Sequence, residues 1–379
     1  MSLAPQILPM LPSDRTTMQR LVGKLRPNDV IQFSFVSNAG RERVKSLGLK
    51  SKSLVWEFDG DRCRIRLVFD DIQQVHFNVW STWDEPEEAG FEPEWNASRR
   101  QIEPQASEVR NLIVGGAAVA MTLARIDRQR IGIREWYVVE KAEEDRMRLI
   151  ERLSRHLLEL FSPNSFSLEA FHVHSRALFD SFLWDITREF AVLSFRPPPE
   201  EPVSVEHLRF LLEDVTTSDL LSLEASRSQV KDVNYRHKTP LKGNFVCVVH
   251  GPWLTIESLL KMDCRHLLII EGKTDSPPEE EQLDLTPVLK SWVDGHLPRL
   301  QRLQVRGKRV IVDADQLEVL KDHLEIPEHI QRDPALMAFI LENQAVRFKN
   351  VNGKTGEFEL NPDDVVFDFH CSPNFDLSV

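Results

Sequence analysis

"LTPVLKSWVDGHLPRLQRLQV", Leu285 to Val305, runs a helix-like piece straight into a strand-like piece, with two prolines and a glycine as punctuation. Thr286 can cap the helix, and Pro287 suits its first turn, where the missing N–H would have no partner anyway. Leu289, Trp292 and Val293 line one face. Gly295 permits the left-handed residue that ends a helix, and Pro298 leads into the strand "RLQRLQV". Two further segments share a loose pattern with it, "VTTSDLLSLEASR" from Val215 and "LTIESLLKMDCR" from Leu254. A strand and helix unit that cannot bury its face alone predicts an irregular, leucine-rich-repeat-like β/α solenoid with its strands stacked in one sheet.

Outward from this stretch the same alternation continues. Beyond Phe161 come short apolar runs, "SLEAFHV", "FAVLSF", "LRFLL", "FVCVV", "HLLII" and "LQRLQV", which predict parallel strands joined by crossovers. Just before them, "AEEDRMRLIERLSRHLLELF" predicts an amphipathic helix with Met147, Ile150, Leu153, Leu157 and Leu160 inward. Earlier still, "SLVWEFDGDRCRIRLVFDDIQQVHFNVWS" alternates with period two around Asp59-Gly60 and Asp70-Asp71, which predicts an antiparallel meander. Leu112 to Ala124 reads as strand and turn, and the acidic, Pro-rich "WDEPEEAGFEPEWNASRRQIEPQ" as a loop. At the far end "NGKTGE" reads as a hairpin turn between "AVRFKNV" and "EFEL".

The N-terminal segment is helical in pattern. Met18, Leu21, Val22 and Leu25 form one apolar stripe behind a Ser13 cap, Pro27 stops the run, and Asn28 or Asp29 caps a second helix carrying Val30, Ile31, Phe33 and Phe35. So small a unit cannot close a core of its own and needs the rest of the chain or another protein. The expected fold is therefore mixed α+β and α/β. A helical module at 5–50 precedes a β-rich region at 51–140, a repeat-like β/α region at 141–310, and a C-terminal helix and hairpin region at 311–379.

Composition limits the function classes. With 379 residues and 41% hydrophobic content, the chain can bury one or two cores. Its longest apolar run, Asn111 to Ala124, falls short of the roughly 20 residues of a membrane span. No secretory signal is read at the N-terminus, so cytoplasm or nucleus is expected. Cys63, Cys247, Cys264 and Cys371 are scattered and are read as reduced structural thiols. The net charge of -12 argues against sequence-independent phosphate binding, although residues 1–50 carry eight basic against three acidic side chains, +5, leaving -17 for the rest.

Catalytic patterns find no support. "GKT" at Gly272 and Gly353 lacks the glycine that a phosphate loop needs five positions earlier, where Leu267 and Phe348 stand. His172 and His174 could share a strand face, but no third metal ligand is placed beside them. "IVGG" at Ile113 has no nucleophile context, and no esterase elbow, zinc-protease helix or dinucleotide fingerprint is present. The tryptophans read as core or interface anchors. No catalytic residue, metal or cofactor is expected.

Two resemblances give these parts a function. Leu11-Pro12, Leu21 and Val22, "LRP" at Leu25 to Pro27, and "NDVIQFSFVS" resemble an F-box. "GPWLTIESLLKMDCRHLLII", "LTPVLKSWVDGHLPRLQRL" and the ending "AVRFKNVNGKTGEFEL" with "VVFDFHC" resemble the type 2 F-box-associated domain of the large nematode F-box family, spanning about 236–306 and the hairpin beyond. The resemblance implies a non-catalytic substrate-recognition subunit of an SCF-type ubiquitin ligase. Leu11, Pro12, Leu21, Val22, Leu25, Pro27, Val30 and Ile31 would dock on a Skp-family adaptor of the cullin complex, while the C-terminal region binds an unidentified target protein. No nucleic acid or membrane partner is implied. The alternative is a leucine-rich-repeat-like interaction scaffold with a degenerate F-box and no ligase role; an enzyme with a site in the middle region, or nucleic-acid binding through the basic N-terminus, are further alternatives.

Overall fold

The structure is a computed structural model. It describes residues 27–60, 62–70, 73–80, 109–114, 116–124, 132–139, 143–225, 229–230, 235–249, 253–270, 283–306, 310–311, 323, 346–361 and 366–371. The chain divides into two units, 1–187 and 188–379. Both mix α and β structure. The division places the helix that follows residue 141 with the N-terminal unit, because its apolar stripe is needed to cover that unit's sheet.

The first unit contains α1 (Pro27–Val36), α2 (Asn38–Ser46), β1 (Leu49–Asp59), β2 (Arg62–Val68), β3 (Gln73–Trp80), β4 (Val109–Val114), β5 (Ala117–Ala124), β6 (Gly132–Val139), α3 (Glu143–Leu160), β7 (Phe161–Phe171), α4 (Ser175–Phe179) and α5 (Leu183–Ile186). Its strands lie in the order β7-β1-β2-β3-β6-β5-β4. The expected meander is there as β1-β2-β3, but β7 joins β1 and β6 joins β3 in parallel, so the sheet is mixed. Helix α3 buries Ile150, Leu153, Leu157 and Leu160 as its periodicity predicts, and packs on β2, β3, β4 and β7. Pro27 opens α1, and Asn28 lies inside that helix, not at its cap.

Asn28 is buried because the sheet needs it. Its Oδ1 accepts the indole N–H of Trp136 at 3.1 Å, while the Trp56 indole donates to Ser154 Oγ on α3 at 2.9 Å. Burying an unpaired indole N–H is costly, so each helix supplies an acceptor for one tryptophan. Between α1 and α3, His156 stacks on Phe35 with centroids 4.8 Å apart. Ser34 Oγ donates to Ile31 O and therefore accepts from His156 Nε2 at 3.1 Å, which leaves Nδ1 unpaired among the described residues.

The second unit contains β8 (Glu189–Arg196), α6 (Val205–Arg209) continued by a π-helical turn Phe210–Asp214, β9 (Thr216–Glu224), β10 (Lys242–Val249), α7 (Ile256–Leu260), β11 (Asp263–Ile270), β12 (Leu283–Asp284), α8 (Thr286–Val293), β13 (Arg302–Arg306), β14 (Val310–Ile311), β15 (Val346–Lys349), β16 (Thr355–Asn361) and β17 (Val366–Cys371). Strands β8, β9, β10, β11 and β13 are parallel and adjacent in chain order. Antiparallel β17, β16 and β15 follow on the β13 side. The hairpin expected at "NGKTGE" is the β15-β16 turn, with Gly353 at φ 77° and Asn350 Oδ1 accepting the N–H of both Asn352 and Lys354.

Three expectations change here. "LRFLL" is helix and π turn, with Leu208, Leu211 and Leu212 buried on one side, so a run of leucines without alternation did not make a strand. "VTTSDLLSLEASR" is strand β9 where its supposed counterparts are helices; Leu221 and Leu223 alternate inward, and the shared Leu-Leu was coincidental. At α8 Thr286 is the first helical residue and not its cap; the cap position is Leu285, which makes no side-chain cap hydrogen bond, and Asp284 Oδ1 accepts the Thr286 N–H at 2.9 Å.

Trp292 closes this unit's core. It is 1% exposed, meets Phe348 and Phe369 edge-on at 5.4 and 5.1 Å, and donates its indole N–H to Leu300 O at 3.3 Å. Gly295 ends α8 at φ 79°. Trp292→Ala should lower stability by about 3–5 kcal/mol as a large core truncation, read from urea unfolding; an unchanged midpoint would show that the ring is not structural.

In the first unit, burial and the nearby Arg41 cation push the His156 pKa down to about 4. Above the unfolded value of about 6.5 both states are neutral and the contribution is complete. Between about 6.5 and 4 only the unfolded chain takes up the proton, so stability falls as pH falls, by about 3 kcal/mol in all. His156→Gln should flatten that part of the stability profile, followed by urea unfolding between pH 7 and 4.

Candidate interaction surface

In each parallel strand of the second unit, side chains alternate between two faces. Leu193, Leu221, Val246, Leu267 and Leu303 point to the buried face, as do Trp292 and Leu289 of α8. The opposite face carries Leu220, Phe245, Cys247, Val249, Leu268 and Ile270, all half-buried. Register aligns them in rows. Leu220, Phe245 and His266 are successive neighbours across β9, β10 and β11, as are Ser222, Cys247 and Leu268 one step along, and Glu224, Val249 and Ile270 after that. Phe245 and His266 meet edge-on with ring centres 6.1 Å apart, which confirms that this row shares a face.

The apolar centre has charged margins. On the β8-β9 side Arg196 pairs with Glu224 at 3.2 Å. On the β13-β17 side Arg302 grips Asp368 with two N–H groups, at 3.1 and 2.6 Å, Gln304 donates to the same carboxylate, and Arg306 donates to Gln304 Oε1. The Asp368 carboxylate raises the Arg302 pKa further. An apolar centre with a hydrogen-bonded polar margin is the anatomy of a protein-binding patch. The sequence runs gave the buried half of each strand; the outward half needed the register.

A second cluster in this unit has the look of a proton relay. Thr239 Oγ1 donates to Glu213 Oε1 at 3.3 Å, so it accepts from His237 Nε2 at 2.9 Å, and His237 Nδ1 then accepts from Tyr235 Oη at 3.1 Å. Burial lowers the His237 pKa and raises that of Tyr235. His237 is 1% exposed, and both ring nitrogens are engaged, so neither faces a substrate. The chain of donors ties residues 235–239 to the π turn and works as a clasp.

The residues expected at an adaptor fall in two groups. Leu11, Pro12, Leu21, Val22 and Leu25 lie outside the described residues. Pro27 is half-buried at the start of α1, whereas Val30 and Ile31 are 3% and 0% exposed. Those two serve the core of their own chain; the apolar stripe on α1 is consumed by the sheet beneath it. His172 and His174 do not share a strand face either, because β7 ends at Phe171 and His174 precedes α4. Among the described residues no cluster of ligating side chains suited to a metal occurs, and no helix is long and apolar enough to cross a membrane.

The two faces predict opposite outcomes for neighbouring leucines. Leu267→Lys, on the buried face, should cost more than about 4 kcal/mol or prevent folding. Leu268→Lys should stay within about 1 kcal/mol of the parent in the same urea titration. Equal losses would mean that both faces are core. Comparison with protein-family models, curated proteins and solved structures gives no match, so the surface is defined by its own residues.

Proposed function

We propose that this chain is a non-catalytic substrate-recognition subunit of an SCF-type ubiquitin ligase, with a leucine-rich-repeat-like second unit. The face of β9, β10 and β11 holds the target protein, and the N-terminal F-box-like segment docks on a Skp-family adaptor in the cytoplasm or nucleus. The observation that carries the reading is the half-buried apolar centre of Phe245, Leu268 and their neighbours between two charged margins. Support also comes from where the F-box-associated motifs fall. "WLT" leads into α7 with Thr255 and Ser258 forming a capping box, "LKSW" lies in α8, and "PRL" leads into β13. A receptor of this kind acts by proximity: holding the target near a charged conjugating enzyme raises the effective concentration of its lysines.

The burial of Val30 and Ile31 favours a second reading, an interaction scaffold with a degenerate F-box and no ligase role. Co-purification with the adaptor separates the two. The receptor reading expects retention at about micromolar concentration, lost on Leu25→Glu and unaffected by Leu268→Lys. If the wild type fails to retain the adaptor, or Leu25→Glu changes nothing, the scaffold reading takes its place.

A further inference from the structure

The path of the chain from α1 through α2 into β1 gathers cations. Helix α2 buries Gly40 and Val44, a narrow edge, and leaves Glu42, Arg43, Lys45 and Ser46 exposed with Arg41 half-buried. Gly48, at φ 61°, turns the chain into β1, where Lys50 and Lys52 are exposed again. Period two puts both lysines on the side of β1 that carries Leu54, Trp56 and Phe58, the side that α3 covers. They therefore extend the outer surface of the helices. Residues 37–53 hold five cations, Arg41, Arg43, Lys45, Lys50 and Lys52, against one carboxylate, Glu42.

Neighbouring elements do not cancel this excess. On α3, which packs on α2, Glu159 lies 3.7 Å from Arg41 and Glu151 pairs with Arg155 at 2.8 Å, while Arg152 adds a further exposed cation. Asp70, two residues beyond the Val68 that faces Ser53 across β1 and β2, gives one oxygen to the Gln73 N–H. The whole set holds seven cations and four carboxylates. Arg43, Lys45 and Lys50 have no ionic partner among the described residues.

An exposed apolar side chain marks the same corner. Val36, at the end of α1 and directly before the Ser37 cap of α2, is 45% exposed, one of two large apolar side chains left so open among the described residues. An apolar contact with a charged margin is suited to a polypeptide partner. The strip also runs against the sign of the chain, since a net charge of -12 with +4 in residues 37–53 leaves -16 for the rest. A long phosphate backbone would meet that field, and among the described residues the strip offers no exposed aromatic ring on which bases stack. A short acidic segment feels only the charges within a screening length of about 8 Å.

We infer that the strip formed by α2 and the start of β1 binds a short acidic segment of a partner protein. Arg43, Lys45 and Lys50 meet its carboxylates, and Val36 covers an apolar side chain among them. The strip uses none of the residues assigned to the adaptor or to the target face, so it stands or falls independently of the receptor reading.

Fluorescence anisotropy of the full chain at about 0.15 M salt tests this, with labelled acetyl-EEEELEEEE-amide as the probe. Saturable binding is expected, weakened at least ~tenfold by the double variant Arg43→Glu, Lys45→Glu and ~threefold by Lys50→Glu or by Val36→Ser. Lys290→Glu, at an exposed lysine of the second unit, serves as the unchanged control. The glutamine analogue acetyl-QQQQLQQQQ-amide should not bind, and acetyl-EEEEGEEEE-amide should bind ~threefold more weakly than the parent peptide. Circular dichroism confirms that each variant is folded, and Lys50→Glu decides if the double variant is not. Absence of saturable binding to the wild type, or unchanged affinity in the folded strip variants, overturns the inference. Tighter binding of a uridine oligonucleotide of equal length overturns it in favour of a nucleic acid, and a dimer in sedimentation that the double variant abolishes overturns it in favour of a second copy of the chain.

Discussion

The closing of the second unit's core around the Trp292 ring is the constraint on which that unit depends. The indole occupies the space between α8, β15 and β17 so fully that Gly356, on β16, has no room for a side chain: a Cβ there would lie 2.7 Å from the Phe369 ring and 3.0 Å from Trp292. The same indole needs an acceptor, which Leu300 supplies just before β13 begins. One side chain therefore fixes the helix, the entry to the last parallel strand and the antiparallel strands beyond it. This is why "LKSWVDGHLPRL" keeps helix, left-handed stop and strand entry within so short a stretch.

Once the buried face is fixed in this way, strand geometry determines the other face. Period two leaves every second residue of β9, β10 and β11 pointing away from the buried face, and those positions include Leu220, Phe245, Cys247, Val249, Leu268 and Ile270 beside the polar Ser222, Glu224 and His266, where a sheet exposed only to water would be mostly polar. Ionic groups appear where the apolar centre stops, Arg196 with Glu224 on one margin and Arg302 with Asp368 on the other. Partly exposed pairs of this kind add little stability. In the proposed receptor such margins would orient the target, since charged rims steer and align a partner more than they hold it.

How much of this was legible in the sequence follows from the type of signal. Helix α3, the β1-β3 meander, the β15-β16 turn and the role of Trp292 were readable because each rests on local periodicity, turn chemistry or a single large apolar side chain. "LRFLL" and "VTTSDLLSLEASR" misled because consecutive leucines fit a buried helix and a strand equally well, and only tertiary packing separates the two. The parallel additions of β6 and β7 were hidden, since pairing between strands far apart in sequence leaves no local mark. The candidate surface was half visible for the same reason: its residues could be named strand by strand, but their rows depend on register.

The buried position of α1 bears most directly on function. Asn28 accepts from Trp136, Phe35 packs edge-on against Phe77 and Trp136, and Ser34 accepts from His156, so the inward side of this helix is used by the sheet and by α3. Pulling α1 away to dock elsewhere would strand the Trp136 indole N–H, at about 1–3 kcal/mol, before counting the aromatic burial. Such a helix is a fixed part of its own unit. The proposed adaptor docking therefore cannot use Val30 and Ile31, and the residues before Pro27 on which the ligase and scaffold readings differ lie outside the described residues.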